Sequence, residues 1–523
     1  MRKALLLFAA FLLVSTIATA NNYYVTTASD TGTGSLRAAI DSVNNNPGTD
    51  TVFVSLSAHD TIHVGSAMAA VTSNLVITGN PCQNPTISGD SNSFNHPVLY
   101  STQANVSFTL NYLNIINCVN HNSNAAGGAV SAKQLNLNYC HFYGNTVLPN
   151  ATVTGSQGGA VAAQYLWAYN CTFDSNAAPI TTLTVNGLGG AIVVSQYAHL
   201  FNCTFYANYS SGYGGAVYAN RLDVFNCTFT GNAAALGGGA LDVDTAAISN
   251  SIIWGNTTTI DTAVVINFLS SPDINVTSGG CNVLQDSTTG AYFTASLSDI
   301  IGDPLFGTFG YYSGCVPVIP FFCGSPAKDH ASCTGATSTD AEGVTAHGTR
   351  DAGAFEITPA YLGGDTIDSI QHGQTADLYN YFNTTGLTMR FYGNFTDSTQ
   401  VDTGTYTAIG TNFLGCSDTA TVIIRYAIDT ATSIKDISAP ASVKIFPNPA
   451  NDIALVEWNK QITGALQLQL RDITGRLLLN EDINATSQNY RLNTSTFSSG
   501  VYYIRLSSSD GKVFTGKLNI IRN

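Results

Sequence analysis

Short hydrophobic segments of one design recur along the middle of the chain. Each carries alternating apolar residues, a central Phe or Ile and a terminal Asn, and each of the first four is followed by Gly-Gly-Ala. Their spacing is 31 or 32 residues at first and 24 residues afterwards. Repeats of this length are typical of solenoids. The five segments are NYCHFYGN ending at Asn145, YNCTFDSN ending at Asn176, FNCTFYAN ending at Asn208, FNCTFTGN ending at Asn232 and SNSIIWGN ending at Asn256.

The length of the repeat identifies its unit. A strand residue advances about 3.3 Å, so three short strands and their turns use roughly 22 to 25 residues. No segment shows sustained helical periodicity, which disfavours helical repeats. The pattern therefore predicts a parallel β-helix in which each coil of the chain, here called a rung, pairs with the next rung.

Stacked rungs predict ladders of equivalent side chains. One inward ladder contains Phe142, Phe173, Phe205, Phe229 and Ile253, and a second contains Cys140, Cys171, Cys203 and Cys227 and ends in Ser251. The Asn before each Cys lies where the alternation breaks, so we predict a turn residue in the left-handed region that hydrogen-bonds to its stacked equivalents. These residues are Asn170, Asn202, Asn226 and Asn250.

Two other segments belong to the same architecture. Residues 35–43 begin with Ser35, a good N-cap, and are apolar at Leu36, Ala39, Ile40 and Val43, which predicts an amphipathic helix covering the first rung. The longer rungs carry their extra residues within 146–157 and 177–188. Such insertions either build a binding surface or are decorative loops.

The charge of the chain restricts its partners. Only 10% of residues are charged and the net charge is −14. Residues 22–356 contain 5 Lys or Arg against 19 Asp or Glu, whereas residues 435–523 contain 10 against 7. An acidic body argues against nucleic acid and anionic lipid, which need clustered cations. The change in balance predicts a domain boundary near residue 435.

The first residues predict the compartment. Arg2 and Lys3 precede an apolar run over residues 4–17, and Ala18 and Ala20 supply a cleavage site. This is the pattern of a signal peptide over residues 1–20, and no later segment is apolar enough to predict a membrane span. We therefore expect a secreted or surface-anchored protein.

The eleven cysteines are odd in number, so at least one is unpaired. The four stacked cysteines equal a zinc-ligand set in number. Their spacing of 24 to 32 residues instead predicts buried thiols in the core. Cys315, Cys323 and Cys333 lie in a loop-rich region where export favours a disulfide, and the spacing leaves open which two pair.

The repeats resemble those of right-handed parallel β-helix proteins of the polymorphic outer membrane protein type. The resemblance is carried by TGTGSLRAAIDSVNNNPGTDTVFV and by the NCTF and GGA elements of the rungs. GDPLF at residues 302–306, GSPAKDHA from Gly324 and GTRDAGAFE ending at Glu356 resemble the closing segment of such helices. The family shows GSPAIDAG there, from which Lys328 and His330 depart. This resemblance covers about residues 22–356 and implies a fold but no activity.

The C-terminal residues resemble the sorting domain of type IX secretion substrates. The resemblance implies passage through the outer membrane, with the type IX secretion machinery as a partner, followed by removal of the domain and often anchoring. Its motifs are FPNPA, LRDITGR and SSGVYYIRL, which place Phe446, Pro447, Asn448, Pro449, Gly475, Gly500 and Tyr502 at the family's motif positions.

These observations together predict an all-β chain of four parts. Residues 404–424 resemble the final strands of Ig-like domains. We therefore expect a signal peptide at residues 1–20, a right-handed parallel β-helix at 21–356, an Ig-like β-sandwich at 357–434 and a small β-sandwich sorting domain at 435–523.

Alignment of the rungs predicts one outward face with candidate chemistry. Aromatic and polar side chains suit sugar rings, and carboxylates suit calcium or acid–base work. The candidate ligand-binding residues are Trp167, Tyr169, His199, Phe201, Tyr218 and Phe225, and the candidate catalytic residues are Arg221, Asp223, Asp242 and Asp244.

Three functions remain open from the sequence. The favoured hypothesis is a surface protein that binds extracellular glycans or neighbouring or host cells, without a cofactor. The alternative is a polysaccharide lyase or glycoside hydrolase, with Ca²⁺ as its candidate cofactor. The third is an inert spacer, because aromatic ladders also stabilise sheets and Arg221 beside Asp223 suits a plain surface ion pair.

Overall fold

The computed structural model describes residues 20–57, 60–121, 126–148, 157–179, 187–258, 275–285, 293–427, 443–458, 465–484, 487–509 and 512–522. They separate into two compact units, Met1–Ala427 and Ile428–Asn523. The predicted signal peptide before Ala20, most of the two predicted insertions and the predicted boundary near residue 435 lie outside these residues. No helix in the described ranges is long and apolar enough to cross a membrane.

The first unit contains a solenoid of three parallel sheets, in which each strand pairs with its equivalent one rung later. The predicted all-β parallel β-helix is confirmed. Sheet 1 consists of Asn22–Val25, Thr49–Val54, Asn74–Thr78, Leu99–Tyr100, Ser107–Asn111, Val130–Asn138, Val161–Tyr169, Ile192–Phe201, Val217–Phe225, Leu241–Ser249, Asn275–Gly280 and Phe293–Thr294.

The other two sheets have shorter strands because turns take up most of each rung there. Sheet 2 consists of Thr61–His63, Thr86–Ser88, Asn114–Ile116, His141–Tyr143, Thr172–Asp174, Thr204–Tyr206, Thr228–Thr230, Ile252–Trp254, Val283–Leu284 and Ile300–Ile301. Sheet 3 consists of Ser93–Phe94, Val119–Asn120, Thr146–Val147, Ala177–Ala178, Tyr209–Ser210, Ala233–Ala234 and Thr257–Thr258.

The predicted phenylalanine ladder is present in the core. Phe173 pairs in register with Phe142 and Phe205, and Phe229 continues the ladder to Ile253. Neighbouring rings stack at centroid distances of 4.6 to 5.0 Å and are fully buried. The ring spacing follows the distance between paired strands, so register alone sets the packing.

The asparagines at the corner after sheet 1 have the predicted backbone conformation. Asn170, Asn202, Asn226 and Asn250 have φ angles of 50 to 55°. The predicted hydrogen bond between stacked equivalents is present from Asn202 Nδ2 to Asn170 Oδ1 at 2.9 Å. Asn226 and Asn250 instead donate to carbonyl groups of a later segment, which lies against this corner.

A second asparagine row forms a continuous buried ladder that the sequence reasoning did not assign. From the second asparagine onward, each side-chain oxygen accepts from the backbone N–H and the side-chain amide of the preceding asparagine, at 2.8 to 3.1 Å. Each amide also donates to a core carbonyl. Its members are Asn145, Asn176, Asn208, Asn232 and Asn256.

The cysteine ladder lies in the core as predicted, and a fifth buried thiol, Cys118, lies instead at the start of the asparagine row, where its backbone N–H donates to Asn145 Oδ1 at 3.0 Å. The thiols accept backbone N–H groups from the preceding rung, as between Cys203 N and Cys227 Sγ at 3.3 Å. Burial raises the pKa of the Cys118 thiol to about 12, so it stays protonated at neutral pH. The described free cysteines are Cys118, Cys140, Cys171, Cys203 and Cys227.

The predicted helix spans Leu36–Asn44 and packs on the first two strands of sheet 1. The Ser35 side chain accepts from Ala38 N at its start. Leu36, Ala39, Ile40 and Val43 are buried, so the predicted apolar face is the one that covers the core.

Residues 302–357, here called the strap, lie along the outside of the solenoid. Asn84 Nδ2 donates to Cys315 O at 2.6 Å, Thr172 Oγ1 to Pro317 O at 2.6 Å, and Gly353 N to Asn250 O at 2.8 Å. The strap thus follows sheet 2 over many rungs and encloses a second apolar cluster with Ile252 and Val283.

The expectation of a disulfide among Cys315, Cys323 and Cys333 is wrong. Each of the three pairs outside that set, as Cys82–Cys315, Cys281–Cys333 and Cys323–Cys416. The reason is the path of the strap, which passes distant rungs and the next domain. Local spacing along the sequence does not carry that information.

Residues after the strap form a four-stranded sheet with its own apolar cluster. Tyr406 Oη donates to Asp402 O at 2.8 Å, a contact of the tyrosine-corner kind seen in Ig-type domains. The strands are Thr366–Ile370, Thr388–Tyr392, Gly404–Thr411 and Ser417–Tyr426, and Leu378–Tyr381 is a 3₁₀ turn.

The second unit consists of two small antiparallel sheets around one apolar cluster. Asn448 accepts from Asn519 N and donates to Lys517 O, both at 2.8 Å, which attaches the FPNPA segment to the last strand. Tyr502 Oη donates to Ser498 O. The strands are Lys444–Phe446, Ile453–Glu457 and Asn489–Asn493 in one sheet, and Ala465–Asp472, Leu477–Asn484, Gly500–Ser508 and Val513–Ile520 in the other.

Candidate functional site

Six ring side chains share the outward side of two neighbouring strands of sheet 1. We call this group the aromatic face. The side chains pair across the strands as Tyr165 with Tyr197, Trp167 with His199, and Tyr169 with Phe201. The predicted columns are therefore correct in register, and four of the six predicted ligand-binding residues lie together here.

The rings of the aromatic face cover a continuous patch. Tyr169 stacks on Phe201 with centroids 5.2 Å apart, and Tyr165 lies nearly parallel to Trp167 at 6.4 Å. Tyr197 meets Trp167 edge to face at 6.4 Å. These rings are half-buried to exposed, so their faces are partly open to solvent.

The sequence reasoning missed Tyr165 and Tyr197. Two residues, Ser195 and Gln196, lie opposite one residue of each neighbouring strand, so the register shifts just before Tyr197. When the two strands are aligned by counting backwards from the Cys that follows each of them, every pair is correct as far as the bulge. Extending the same alternation by two residues finds both tyrosines.

A polar chain continues from the aromatic face. Tyr197 Oη donates to Asp223 Oδ2 at 2.5 Å, and His199 Nδ1 lies 3.0 Å from Tyr197 Oη. Because the tyrosine proton is used by Asp223, His199 Nδ1 carries the proton and donates. His199 Nε2 is then a buried acceptor without a partner among the described residues. Burial lowers the pKa of His199, although Asp223 opposes this, so the imidazole is neutral at pH 7.

Arg221 and Asp223 do not form the ion pair considered from the sequence. The Arg221 guanidinium lies over the Tyr197 ring, 5.2 Å from its centroid. Asp223 is held by the Tyr197 hydroxyl instead. Strand alternation places both side chains on the outward side. There Tyr197 contacts both of them, Arg221 through the face of its ring and Asp223 through its hydroxyl group.

The carboxylates predicted on this sheet do not converge on one point. Asp242 pairs with Tyr218, whereas Asp223 pairs with Ala247, five positions further along the strand. That offset is about 16 Å at the rise of a strand residue. Asp242 and Asp244 are the closer pair, two residues apart on one side of a strand, so that their backbone positions are roughly 7 Å apart.

Asp242 has an unusual environment. It is 7% exposed, and burial, followed by the charge of Asp244, raises its pKa to about 8. Asp244 is exposed. The pair therefore combines a carboxyl group that is protonated at neutral pH with a carboxylate on the same strand. No group of three His, Cys, Asp or Glu able to hold a metal ion occurs within the described ranges.

Two predicted ligand-binding residues lie apart from the aromatic face. Tyr218 is next to Asp242, at the other end of its strand. Phe225 stacks on Phe201 at 4.9 Å, but the strap packs over it, and a Cβ at Gly335 would lie 2.2 Å from the Phe225 ring. Phe225 therefore supports the face from beneath the strap.

Comparison with known families identifies the last part of the chain. Residues 444–521 match the secretion system C-terminal sorting domain. The C-terminal unit is a sorting domain. It indicates secretion and attachment at the cell surface, and it implies the type IX secretion machinery as a partner. The predicted localisation at the cell surface is therefore confirmed. Of the sorting motif residues, Phe446, Gly500 and Tyr502 lie on strands of the two antiparallel sheets, and the others lie in the turns that join strands.

Comparison of the solenoid gives a narrower result. Residues 226–244 match the Chlamydia polymorphic membrane protein repeat. No curated protein matches the chain. One solved structure, the crystal structure of dimeric latent PorU from Porphyromonas gingivalis, is 18% identical over 25% of this chain, with a TM-score of 0.15. The chain matches 14% of the length of that protein.

Proposed function

We propose that this secreted β-helix binds glycans at the cell surface through the aromatic face of sheet 1. The observation that carries the proposal is that the six rings of the aromatic face lie on two adjacent strands, with each ring of one strand paired to a ring of the other. Sugar rings present flat C–H faces that pack on aromatic rings, and their hydroxyl groups need polar partners nearby. Tyr, His and Asp groups supply such partners along the same strands.

The electrostatics of the face support an uncharged or weakly charged glycan. Arg221 is the cation next to the rings, and it lies over Tyr197, while Asp223 is held by that tyrosine. His199 is neutral at pH 7 because burial lowers its pKa. A polyanion would find no cluster of cations on this face, and the acidic body of the chain would repel it.

Glycan-array binding by the secreted chain tests the proposal. We expect a subset of glycans to bind, and we expect Trp167→Ala to weaken binding of those glycans about tenfold, or roughly 1.4 kcal/mol. Trp167→Phe keeps a ring and should retain most of the affinity. Isothermal titration of the best glycan against each variant gives the dissociation constants.

A matched control lies on the same sheet. Tyr24 is 57% exposed and stacks on Phe53 at 5.4 Å, several rungs from the aromatic face. Tyr24→Ala should leave the dissociation constant unchanged. A silent array, or equal losses from Trp167→Ala and Tyr24→Ala, would contradict the proposed binding face.

The Asp242–Asp244 pair supports hydrolysis of a glycan as the second candidate. Glycosidases use a carboxyl group with a raised pKa together with a second carboxylate, and Asp242 and Asp244 supply such a pair on one side of a strand. In this case incubation with polysaccharides would release new reducing ends, and Asp242→Asn would abolish the release while leaving binding by the aromatic face intact. Binding without any released product would exclude this function for the polysaccharides tested, and addition of Ca²⁺ extends the test to a calcium-dependent lyase.

A further inference from the structure

A cleft of about 430 Å³ lies between the strap and the four-stranded sheet. Its walls come from Tyr312 to Ser313, Glu342 to Val344 and Phe355 to Tyr361 on one side, and from residues 383–387 and 412–414 on the other. The volume falls within the roughly 300 to 1,000 Å³ of ordinary small-ligand pockets. The cleft belongs to a different part of the chain from the aromatic face of sheet 1.

Exposed aromatic rings line the cleft. Tyr312 and Phe413 stack with centroids 5.6 Å apart and an angle of 7° between their planes. Phe413 is 64% exposed, Tyr361 is 66% exposed and Tyr312 is 39% exposed. Large apolar rings are normally withdrawn from water, so rings that converge on one cavity indicate a surface for a ligand.

The two walls are fastened to each other. The Cys323–Cys416 disulfide joins them, and Cys323 N donates to Leu414 O at 2.9 Å. Asn412 Nδ2 donates to Thr358 O, also at 2.9 Å. A cleft held in this way is formed before a ligand arrives, which reduces the entropy lost on binding.

The charged groups at the cleft are already engaged. Glu342 Oε1 accepts the backbone N–H groups of Tyr312, Ser313 and Gly314, and its Oε2 accepts from Ser313 Oγ. Glu356 pairs with Arg350 at 2.8 Å and both are buried. Among the residues that the structure describes, no Lys or Arg lines the cleft. The lining therefore favours an uncharged ligand over a uronate, a phosphate or an ammonium group.

Neutral polar groups remain available beside the rings. Asn383 lines the cleft and is exposed, and its Oδ1 accepts from Thr385 N. Thr385 and Thr358 contribute exposed residues with hydroxyl groups. Flat rings together with amide and hydroxyl groups match the C–H faces and hydroxyl groups of a pyranose.

We propose that this cleft is a second binding site, specific for an uncharged saccharide that stacks on the Tyr312–Phe413 pair. It stands independently of the site proposed on sheet 1, because the two share no residue. A chain with both sites holds one glycan at two places or two glycans at once, and two linked sites raise the overall affinity for a surface that displays many copies.

The test uses the full secreted chain carrying Trp167→Ala, which weakens binding by the aromatic face, so that the cleft variants then assign the remaining binding. Its probes are neutral tetrasaccharides of glucose, mannose, galactose and xylose, followed by isothermal titration. We expect at least one to bind, and we expect Phe413→Ala and Tyr361→Ala each to weaken that binding about tenfold. Both side chains are largely exposed, so neither change should unfold the domain.

The matched control is Tyr392→Ala, which removes a 52% exposed ring from the same four-stranded sheet outside the cleft lining. It should leave the affinity within twofold. A galacturonate tetramer and a proline-rich decapeptide serve as comparison probes. The proposal is overturned if no neutral tetrasaccharide binds, if binding survives Phe413→Ala and Tyr361→Ala, or if only the charged sugar or the peptide depends on these rings.

Discussion

Asp242 is a residue whose acid–base chemistry is strongly altered by its position. It lies on the outward side of sheet 1, yet it is buried beside Tyr218, and Asp244 adds a like charge. Burial and repulsion both favour the protonated form, which raises its pKa to about 8. The folded chain therefore binds a proton here that the unfolded chain releases near pH 4.

This difference predicts how stability depends on pH. The contribution of Asp242 to stability is complete below the unfolded pKa and is lost as pH rises through about 8. Between pH 7 and 9 the free energy of unfolding of the wild-type solenoid should fall by roughly 1.4 kcal/mol from this residue. In Asp242→Asn that part of the fall should disappear, measured by urea denaturation at the two pH values.

Two comparisons help to assign the change in stability between pH 7 and 9 to Asp242. Asp340 and Asp351 also have raised pKa values, to about 6, so their contribution changes below the chosen range. Asp244→Asn removes the like charge and should shift the pH dependence of Asp242 to lower pH without abolishing it. An identical pH dependence in wild type and Asp242→Asn would show that this carboxyl is ionised in the folded chain.

At the scale of the rung, the buried asparagine ladder supplies specificity that apolar stacking lacks. Asn208 accepts two hydrogen bonds from Asn176, both at 3.0 Å, and donates to Phe173 O at 2.9 Å. A slip of one residue would break these bonds along every rung and leave buried polar groups unpaired. The ladder therefore fixes the register that the phenylalanine ladder only favours.

Replacing one member of the ladder tests this role. Asn208→Ala should lower the free energy of unfolding of the solenoid by about 3 kcal/mol or more, because buried groups on both neighbouring rungs lose their partners. Asn220→Ala, at an exposed position of the Val217–Phe225 strand, should change it by less than about 0.5 kcal/mol. Urea denaturation of both variants gives the comparison, and equal effects would contradict a structural role for the ladder.

The repetition of the rungs also explains how much of the fold and of the candidate site could be predicted from the sequence. In a solenoid, neighbours follow from one register, so Phe205 above Phe229 and His199 above Asp223 were found by alignment alone. The bulge at Ser195 and Gln196 is invisible to that alignment, and Tyr197, just after it, is reached only when the alternation is extended two residues back from His199. Burial of Asp242 was also unpredictable, because alternation places its side chain outward.

At the scale of the whole molecule, the strap and its disulfides follow rules that the repeat does not contain. Cys82 and Cys315 are 233 residues apart in sequence, and nothing in their local spacing pairs them. Such a bond depends on where the chain returns after the last rungs, which is a property of the complete fold. The sorting domain is the opposite case, since its motifs identified it without any knowledge of the rest.

The division of the cysteines gives a prediction for the intact chain. The five free thiols are buried in the solenoid core, whereas the three disulfides attach the strap to the solenoid and to the four-stranded sheet. A thiol reagent should therefore modify none of the eleven cysteines in the native chain, because burial blocks access to the five free thiols and the other six are in disulfides. In denaturant without a reductant it should modify five, and in denaturant after reduction all eleven. Mass spectrometry counts the added groups, and labelling of Cys171 or Cys203 in the native chain would show that the rungs open far more readily than a packed core allows.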